Sequence, residues 1–155
     1  MIIADIRPCQ AGHVPELERI DSLCGSPAWG RGPFLHHVAS DAGGMVLGAF
    51  LKGELRGFLA WEMRGEEAWI LRLGVHPEFR RLGLASQLIC ALEVLALSQG
   101  CARLCLHVRS WNHPARALYL SMGFRSMGVQ EGYYSDGEAG ELMTASLPLE
   151  VLEDL

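Results

Sequence analysis

No cysteine pair in this chain has the C-x-x-C spacing of a zinc ribbon or a dithiol redox motif. The five cysteines (Cys9, Cys24, Cys90, Cys101 and Cys105) are odd in number and scattered, so they read as small apolar side chains with free thiols, not as a disulfide framework. No apolar run is long enough to span a membrane, and Met1-Ile2-Ile3-Ala4-Asp5 lacks the build of a signal peptide; the expectation is a soluble, cytoplasmic protein with no membrane partner. The phosphate-binding pattern ending in Lys-Ser/Thr is missing, which argues against an ATPase or GTPase. No G-x-G-x-x-G follows the first strand and no G-x-S-x-G occurs, which argues against a dinucleotide-binding domain and a serine hydrolase. His36-His37 and His113 have no recognisable metal-ligand spacing. From Glu131 to the C-terminus there are seven acidic residues and no basic one.

What is present is a chain of 155 residues, half of them hydrophobic, which suits a single domain with a real core. Its formal charge is −5, but the charge is unevenly placed. Between Arg72 and Arg125 seven arginines face only Glu78 and Glu93, a local +5. A basic middle in an acidic protein suits a small polyanionic ligand better than nucleic acid, which calls for a broad basic face.

Periodicity predicts a strand over Ile2 to Arg7, closed by Pro8, then a helix over Gly12 to Leu23. A Gly/Pro-rich loop from Gly25 to Pro33 holds Trp29, and a short helix over Phe34 to Ala39 follows. Three strand-like runs, Met45–Leu51, Leu55–Arg64 and Glu67–Val75, are separated by turn residues; the third places Trp69, Leu71, Leu73 and Val75 on one face. A helix from Gly83 to Ser98 leads to an alternating strand, Ala102–Arg109, with Leu104, Leu106 and Val108 opposite Arg103, Cys105, His107 and Arg109. That strand–helix–strand crossover predicts the one parallel pair. A helix capped by Asn112 carries Ala115, Leu118, Tyr119 and Met122 on one stripe. A final hairpin is expected from Phe124–Tyr134 and Glu141–Leu147 across Ser135-Asp136-Gly137. The predicted fold is a single α/β domain over residues 1–155: a mixed, mostly antiparallel sheet flanked by helices.

Between the third of those strands and the long helix the chain reads Arg80-Arg81-Leu82-Gly83-Leu84-Ala85. A strand, a short glycine-bearing loop and a helix start make an anion cradle: N–H groups at the helix N-terminus point outward, and the helix dipole favours negative charge. The string alone is weak, but LGVHPEFRRLGLASQLI followed by NHPARALYLSMGF resembles the GNAT superfamily of acetyl-CoA-dependent N-acetyltransferases. Asn112, Ala115, Leu118, Tyr119, Gly123 and Phe124 match its second signature. LHVRSWN, Tyr133-Tyr134 and the Trp29 loop look most like the type that acetylates the N-terminal alanine of a ribosomal protein.

That resemblance implies acetyl-CoA as co-substrate. The backbone of Leu73, Gly74 and Val75 would meet the pantetheine arm, Val75 would polarise the thioester carbonyl, and Arg80, Arg81, Leu82, Gly83, Leu84 and Ala85 would hold the pyrophosphate. Asn112 and Ala115 would complete the donor site, and Tyr119 would protonate the departing thiolate. Trp29, Tyr133 and Tyr134 would wall the acceptor groove, or simply pack. In the ribosomal-protein type a glutamate precedes Val-Arg on the penultimate motif strand and acts as base; here His107 stands in its place. A neutral histidine with a pKa of roughly 6.5 could serve, or could merely pack on its strand. At pH 7 an α-amine costs roughly 1 kcal/mol to deprotonate and a lysine nearer 4–5, so a modest base suits an α-amine better. Glu62, Glu66 and Glu67 could attract a cationic amine or just solvate a turn. With no activated cysteine evident, transfer should be direct, although Cys105 shares His107's face. A protein or peptide N-terminus is the expected acceptor; a small-molecule amine, or a silent acetyl-CoA-binding module, are the alternatives.

Overall fold

The computed structural model of the protein describes residues 2–25, 27–39 and 44–152; Ser26 of the Gly25–Pro33 loop, and Glu153 and Asp154 of the acidic run, lie outside the described residues. Strands are β1 (Asp5–Pro8), β2 (Gly44–Leu51), β3 (Glu54–Arg64), β4 (Glu67–Val75), β5 (Arg103–Arg109), β6 (Arg125–Gln130) and β7 (Gly140–Ser146). Helices are α1 (Val14–Cys24), α2 (Arg31–Val38), α3 (Leu84–Ser98) and α4 (His113–Ser121), with single 3-10 turns at Ala11–His13 and Pro77–Phe79. The strand order in the sheet is β1-β2-β3-β4-β5-β7-β6. β4 and β5 are parallel, Glu67 opposite Arg103 through Ile70 opposite Leu106. The β1–β2, β2–β3, β5–β7 and β6–β7 pairs are antiparallel. The mixed, mostly antiparallel sheet flanked by helices therefore matches the expectation. Among the described residues no helix is long and apolar enough to cross a membrane.

The chain falls into two compact units, Met1–Met63 with Leu71–Leu92, and Arg64–Ile70 with Glu93–Leu155. In the first, Val14, Leu17 and Ile20 on one stripe of α1 are buried in a core with Phe34, Val46, Phe50 and Phe58. Each such side chain contributes about 1.5–3 kcal/mol when fully buried. The β2–β3 turn places Lys52 and Gly53 at φ of +50° and +79°, the left-handed pair a two-residue hairpin needs. Pro8 does not close β1 but is its last paired residue, opposite Leu47; an edge strand tolerates the missing donor. α2 starts earlier than Phe34, because Gly30 turns the chain at φ +87° and Pro33 falls in the first turn, where its missing N–H costs nothing.

β4 alternates as its pattern predicts. Its large apolar residues Trp69, Leu71, Leu73 and Val75 stand on the half-exposed face, while Ala68, Ile70 and Gly74 are buried. The packed face carries the small residues because Phe58 and Cys24 fill the space beside Gly74.

In the second unit Leu104, Leu106 and Val108 of β5 are buried, as are Met143 and Ala145 of β7 and Tyr119, Met122 and Phe124. The expected tight hairpin is longer than predicted: β6 stops at Gln130 and β7 starts at Gly140. Residues 131–139 are instead a structured loop. The Tyr134 N–H donates to Glu138 O (3.1 Å) and the Gly137 N–H to Tyr134 O (2.9 Å). Arg109 of β5 pairs with both oxygens of Asp136 at 3.1 and 2.8 Å. Tyr133 and Tyr134 thus lie in this loop and not on a strand.

Candidate active site

In the first unit the C-terminal end of β4 runs into the basic loop. Gly74 lies on the buried face: a Cβ there would meet the Phe58 ring at 2.8 Å and Cys24 Sγ at 3.1 Å, so packing accounts for the glycine. The Val75 carbonyl accepts from Arg80 Nε (3.1 Å) and from Cys24 Sγ (3.4 Å). Leu73 and Val75 are half-exposed and Leu84 is buried. Arg81 and Gly83 both take positive φ, +63° and +84°, on either side of Leu82. Alternating left-handed residues turn successive N–H groups toward one concavity, and the start of α3 adds its unpaired N–H groups and positive dipole end. The exposed Arg80 and Arg81 side chains add positive charge beside these N–H groups.

The α1–α2 loop is fastened by a buried carboxylate. Asp21, 1% exposed, accepts from Arg72 Nε through Oδ1 (2.7 Å) and from the Trp29 backbone N–H through Oδ2 (2.7 Å). Arg72 also donates to Pro27 O at 2.8 Å. Trp29 is half-buried, stacked on His37 (5.1 Å between centroids, 10° between planes) and edge-on to Phe34 (5.0 Å).

In the second unit His107 lies within an aromatic stack. Its ring is 3.9 Å from that of Tyr133, nearly parallel at 16°, and 5.6 Å from that of Trp69 at 21°. Burial, and secondarily the Arg64 charge, hold the imidazole pKa below its ordinary value, so the ring is neutral at pH 7. Gly140 makes room for this stack: a Cβ there would lie 2.7 Å from Tyr133 Cδ2. Tyr133 meets Tyr134 edge-on (4.9 Å), and the Arg109 guanidinium lies 4.0 Å over the Tyr134 ring. Cys105, buried beside this face, has its thiol pushed up to about 11 by burial and by Glu67. It is a neutral thiol at pH 7, a poor nucleophile. Glu67 is committed to Arg103 (2.8 Å) and to Trp69 Nε1 (3.1 Å), so it solvates and fastens its turn.

Asn112 caps α4 as expected, its Oδ1 accepting from the Ala115 N–H at 3.3 Å. Tyr119 is 8% exposed and edge-on to Phe124. Burial, with a smaller effect of Tyr134, raises its phenol far above the usual value, so it stays protonated. Arg116 on the same helix pairs with the buried Glu141 at 2.5 and 3.2 Å.

Sequence reasoning named His107, Tyr133 and Tyr134 separately and gave no sign that their rings stack, and it missed Asp21, Arg72 and Gln87. Asp21 and Arg72 are 51 residues apart, and their only signal was polarity inside otherwise apolar stripes.

A seven-stranded sheet in which β4 and β5 run parallel, with a glycine-bearing loop between β4 and α3, is the fold of an acyltransferase. The chain belongs to the acetyltransferase (GNAT) family, whose model matches residues 14–124. It is an acyltransferase with acetyl-CoA as co-substrate. A protein of Bacillus subtilis (strain 168) assigned as ribosomal protein bS18-alanine N-acetyltransferase is 26% identical over 145 residues, covering 93% of this chain and 96% of that protein. Thialysine N-epsilon-acetyltransferase of Sus scrofa is 31% identical over 119 residues, 74% of this chain and 70% of the relative. The crystal structure of the ribosomal-protein-S18-alanine N-acetyltransferase from Escherichia coli superposes with a TM-score of 0.82 at 25% identity, covering 99% of each chain.

Proposed function

We propose that this N-acetyltransferase modifies the α-amine at the N-terminus of a protein or peptide, a ribosomal protein being one such acceptor, and that it does so in the cytoplasm. The observation that carries the reading is His107, a neutral and weakened base in an aromatic stack. Such a base suits an amine that needs little help to lose its proton. Relatives of B. subtilis and E. coli named for N-terminal alanine acetylation support the same class of acceptor.

In this reading residues 1–155 act as one domain, since the family match runs through both units. The backbone of Leu73 and Val75 orients the pantetheine arm, and the Val75 N–H polarises the thioester carbonyl. Backbone N–H groups of Arg81 to Ala85 bind the pyrophosphate, with Arg80 adding charge. Asn112 and Ala115 complete the donor site. His107 takes the proton from the attacking amine, directly or through water, and Tyr119 returns one to the departing sulfur. No acyl-enzyme forms, because Cys105 remains a thiol. Trp29, Tyr133 and Tyr134 line the acceptor's path.

Incubation of the enzyme with acetyl-CoA and a bacterial protein extract, followed by mass spectrometry, tests this directly. Acetyl groups on protein N-termini support the reading. Transfer only to lysine side chains or to free small amines such as thialysine overturns it, as does acetyl-CoA binding without turnover.

A further inference from the structure

We propose that Gln87 is a positioning residue for the donor's diphosphate, acting through a strap formed by residues 2–4; this rests on reading the Arg81–Ala85 loop as the donor site. Gln87 lies in the first turn of α3, and its side-chain amide engages three backbone groups. Oε1 accepts from the Ala4 N–H at 2.9 Å, while Nε2 donates to Ile2 O at 2.7 Å and to Gly83 O at 3.1 Å. Ile2 O and Ala4 N–H are the pair that a neighbouring strand would engage, so the glutamine stands in for a strand at the point where β1 has not yet begun. The Ile2 N–H then donates to Leu82 O at 3.2 Å.

Two consecutive carbonyls of the loop, Leu82 and Gly83, are thereby tied to the strap and its anchor. A trans peptide is planar, with its C=O and the following N–H pointing in opposite directions. Fixing the Leu82 carbonyl on Ile2 aims the Gly83 N–H away from the strap. The Gly83 carbonyl is held by the Gln87 backbone N–H (3.1 Å) as well as by its side chain, which aims the Leu84 N–H likewise, so the side chain's distinct hold is on Leu82 through Ile2. The Gly83 and Leu84 N–H groups are donors that the cradle needs. The left-handed conformation of Arg81 is costly for a residue with a side chain, so the loop needs such ties to hold it. Gln87 thus acts on the donor without touching it.

The test is Gln87→Met, which keeps length and helix propensity and removes every side-chain hydrogen bond. Steady-state kinetics are measured with acetyl-CoA and with S-acetyl-pantetheine, which lacks the diphosphate and nucleotide. The expected result is a KM for acetyl-CoA raised about tenfold with kcat within about twofold, and an unchanged kcat/KM for acetyl-pantetheine. An equal loss with both donors, or an unchanged acetyl-CoA KM, overturns the proposal. A chain lacking residues 1–3 provides a second variant, and should show the same donor-selective loss. Combining it with Gln87→Met should add nothing further, whereas additive losses mean that the two do not act through one strap. A wild-type enzyme that does not prefer acetyl-CoA over acetyl-pantetheine overturns the loop assignment itself, and is told apart from failure of the strap by that control.

Discussion

Asp21→Ala removes a carboxylate that satisfies two donors inside the first unit, the Arg72 guanidinium and the Trp29 backbone N–H, each at 2.7 Å. Deleting one partner of a buried pair costs about 3–5 kcal/mol, because the other charge is stranded. The Arg72 side chain is 28% exposed and still reaches Pro27 O, so part of its charge finds solvent and the lower figure, about 3 kcal/mol, applies. For a chain of this size that is a fall in Tm of roughly 6–12 °C. Asp21→Asn keeps one oxygen for the Trp29 N–H and should lose about half as much. Asp21→Leu combined with Arg72→Met should recover most of the loss, because apolar replacement of a buried ion pair is often neutral. Urea unfolding at constant m-value, with calorimetry, reads these changes. Releasing Trp29 should also raise the KM for the acceptor and leave that for acetyl-CoA alone. A Tm for Asp21→Ala within about 2 °C of wild type would refute the view that this carboxylate clasps the α1–α2 loop.

Because burial first and Arg64 second disfavour the charged imidazole of His107, the acid limb of kcat should lie below pH 6.5, activity being lost as pH falls through it. Arg64→Met should move that limb upward, and His107→Gln should abolish it with a kcat loss of about 10²–10⁴-fold; an unaltered profile removes His107 from the chemistry. Tyr119→Phe keeps the buried ring and deletes a proton that burial holds on the oxygen throughout the assay range, so kcat should drop about 10²-fold or more with KM little changed. Wild-type kcat in that variant would assign the acid to solvent. Gly140→Ala forces the Tyr133 ring off its 2.7 Å approach, which should cost about 1–3 kcal/mol in unfolding experiments. The same variant should shift the His107 acid limb upward as the imidazole regains water.

Order and class of the elements were legible because they rest on local signals: period-2 runs ended by Lys52-Gly53 and Gly65, the Asn112 cap, and the crossover through α3. The gaps and errors fall where tertiary partners decide. The alternation of β4 put Trp69, Leu71, Leu73 and Val75 on one face but did not say which face is packed; Phe58 and Cys24 fill the space beside Gly74, and the larger side chains are half-exposed. The 131–139 loop reads as the arms of a hairpin, yet Asp136 is held by Arg109, 27 residues away, and the strands end early. The turn conformation of the Arg80–Ala85 loop was legible from Arg80-x-x-Gly-x-Ala, since Gly83 announces the left-handed backbone that the loop takes. Gln87 was not, because a glutamine on a helix gives no sign that its partners lie 83 and 85 residues earlier.

The role proposed for His107 joins the fold to the acceptor's chemistry. Stacking it between Trp69 and Tyr133 removes water from the imidazole and so lowers its basicity, which at first seems a poor choice for a general base. The same change keeps it free to accept: a group with a pKa below 6.5 is more than about three-quarters unprotonated at pH 7. What it loses is driving force, and the total cost depends on the acceptor. Whatever the base, a lysine at about 10.4 gives up its proton at a cost roughly 3–4 kcal/mol above that of an α-amine at about 7.7–8.0. Lowering the base therefore leaves the ratio between the two amines intact while raising both costs, and only the α-amine's remains small beside an ordinary catalytic barrier. A lysine acceptor would call for a stronger base, such as an exposed or carboxylate-paired histidine. The aromatic stack supplies the opposite environment, so under the proposed role of His107 the α-amine is the acceptor whose deprotonation cost stays small.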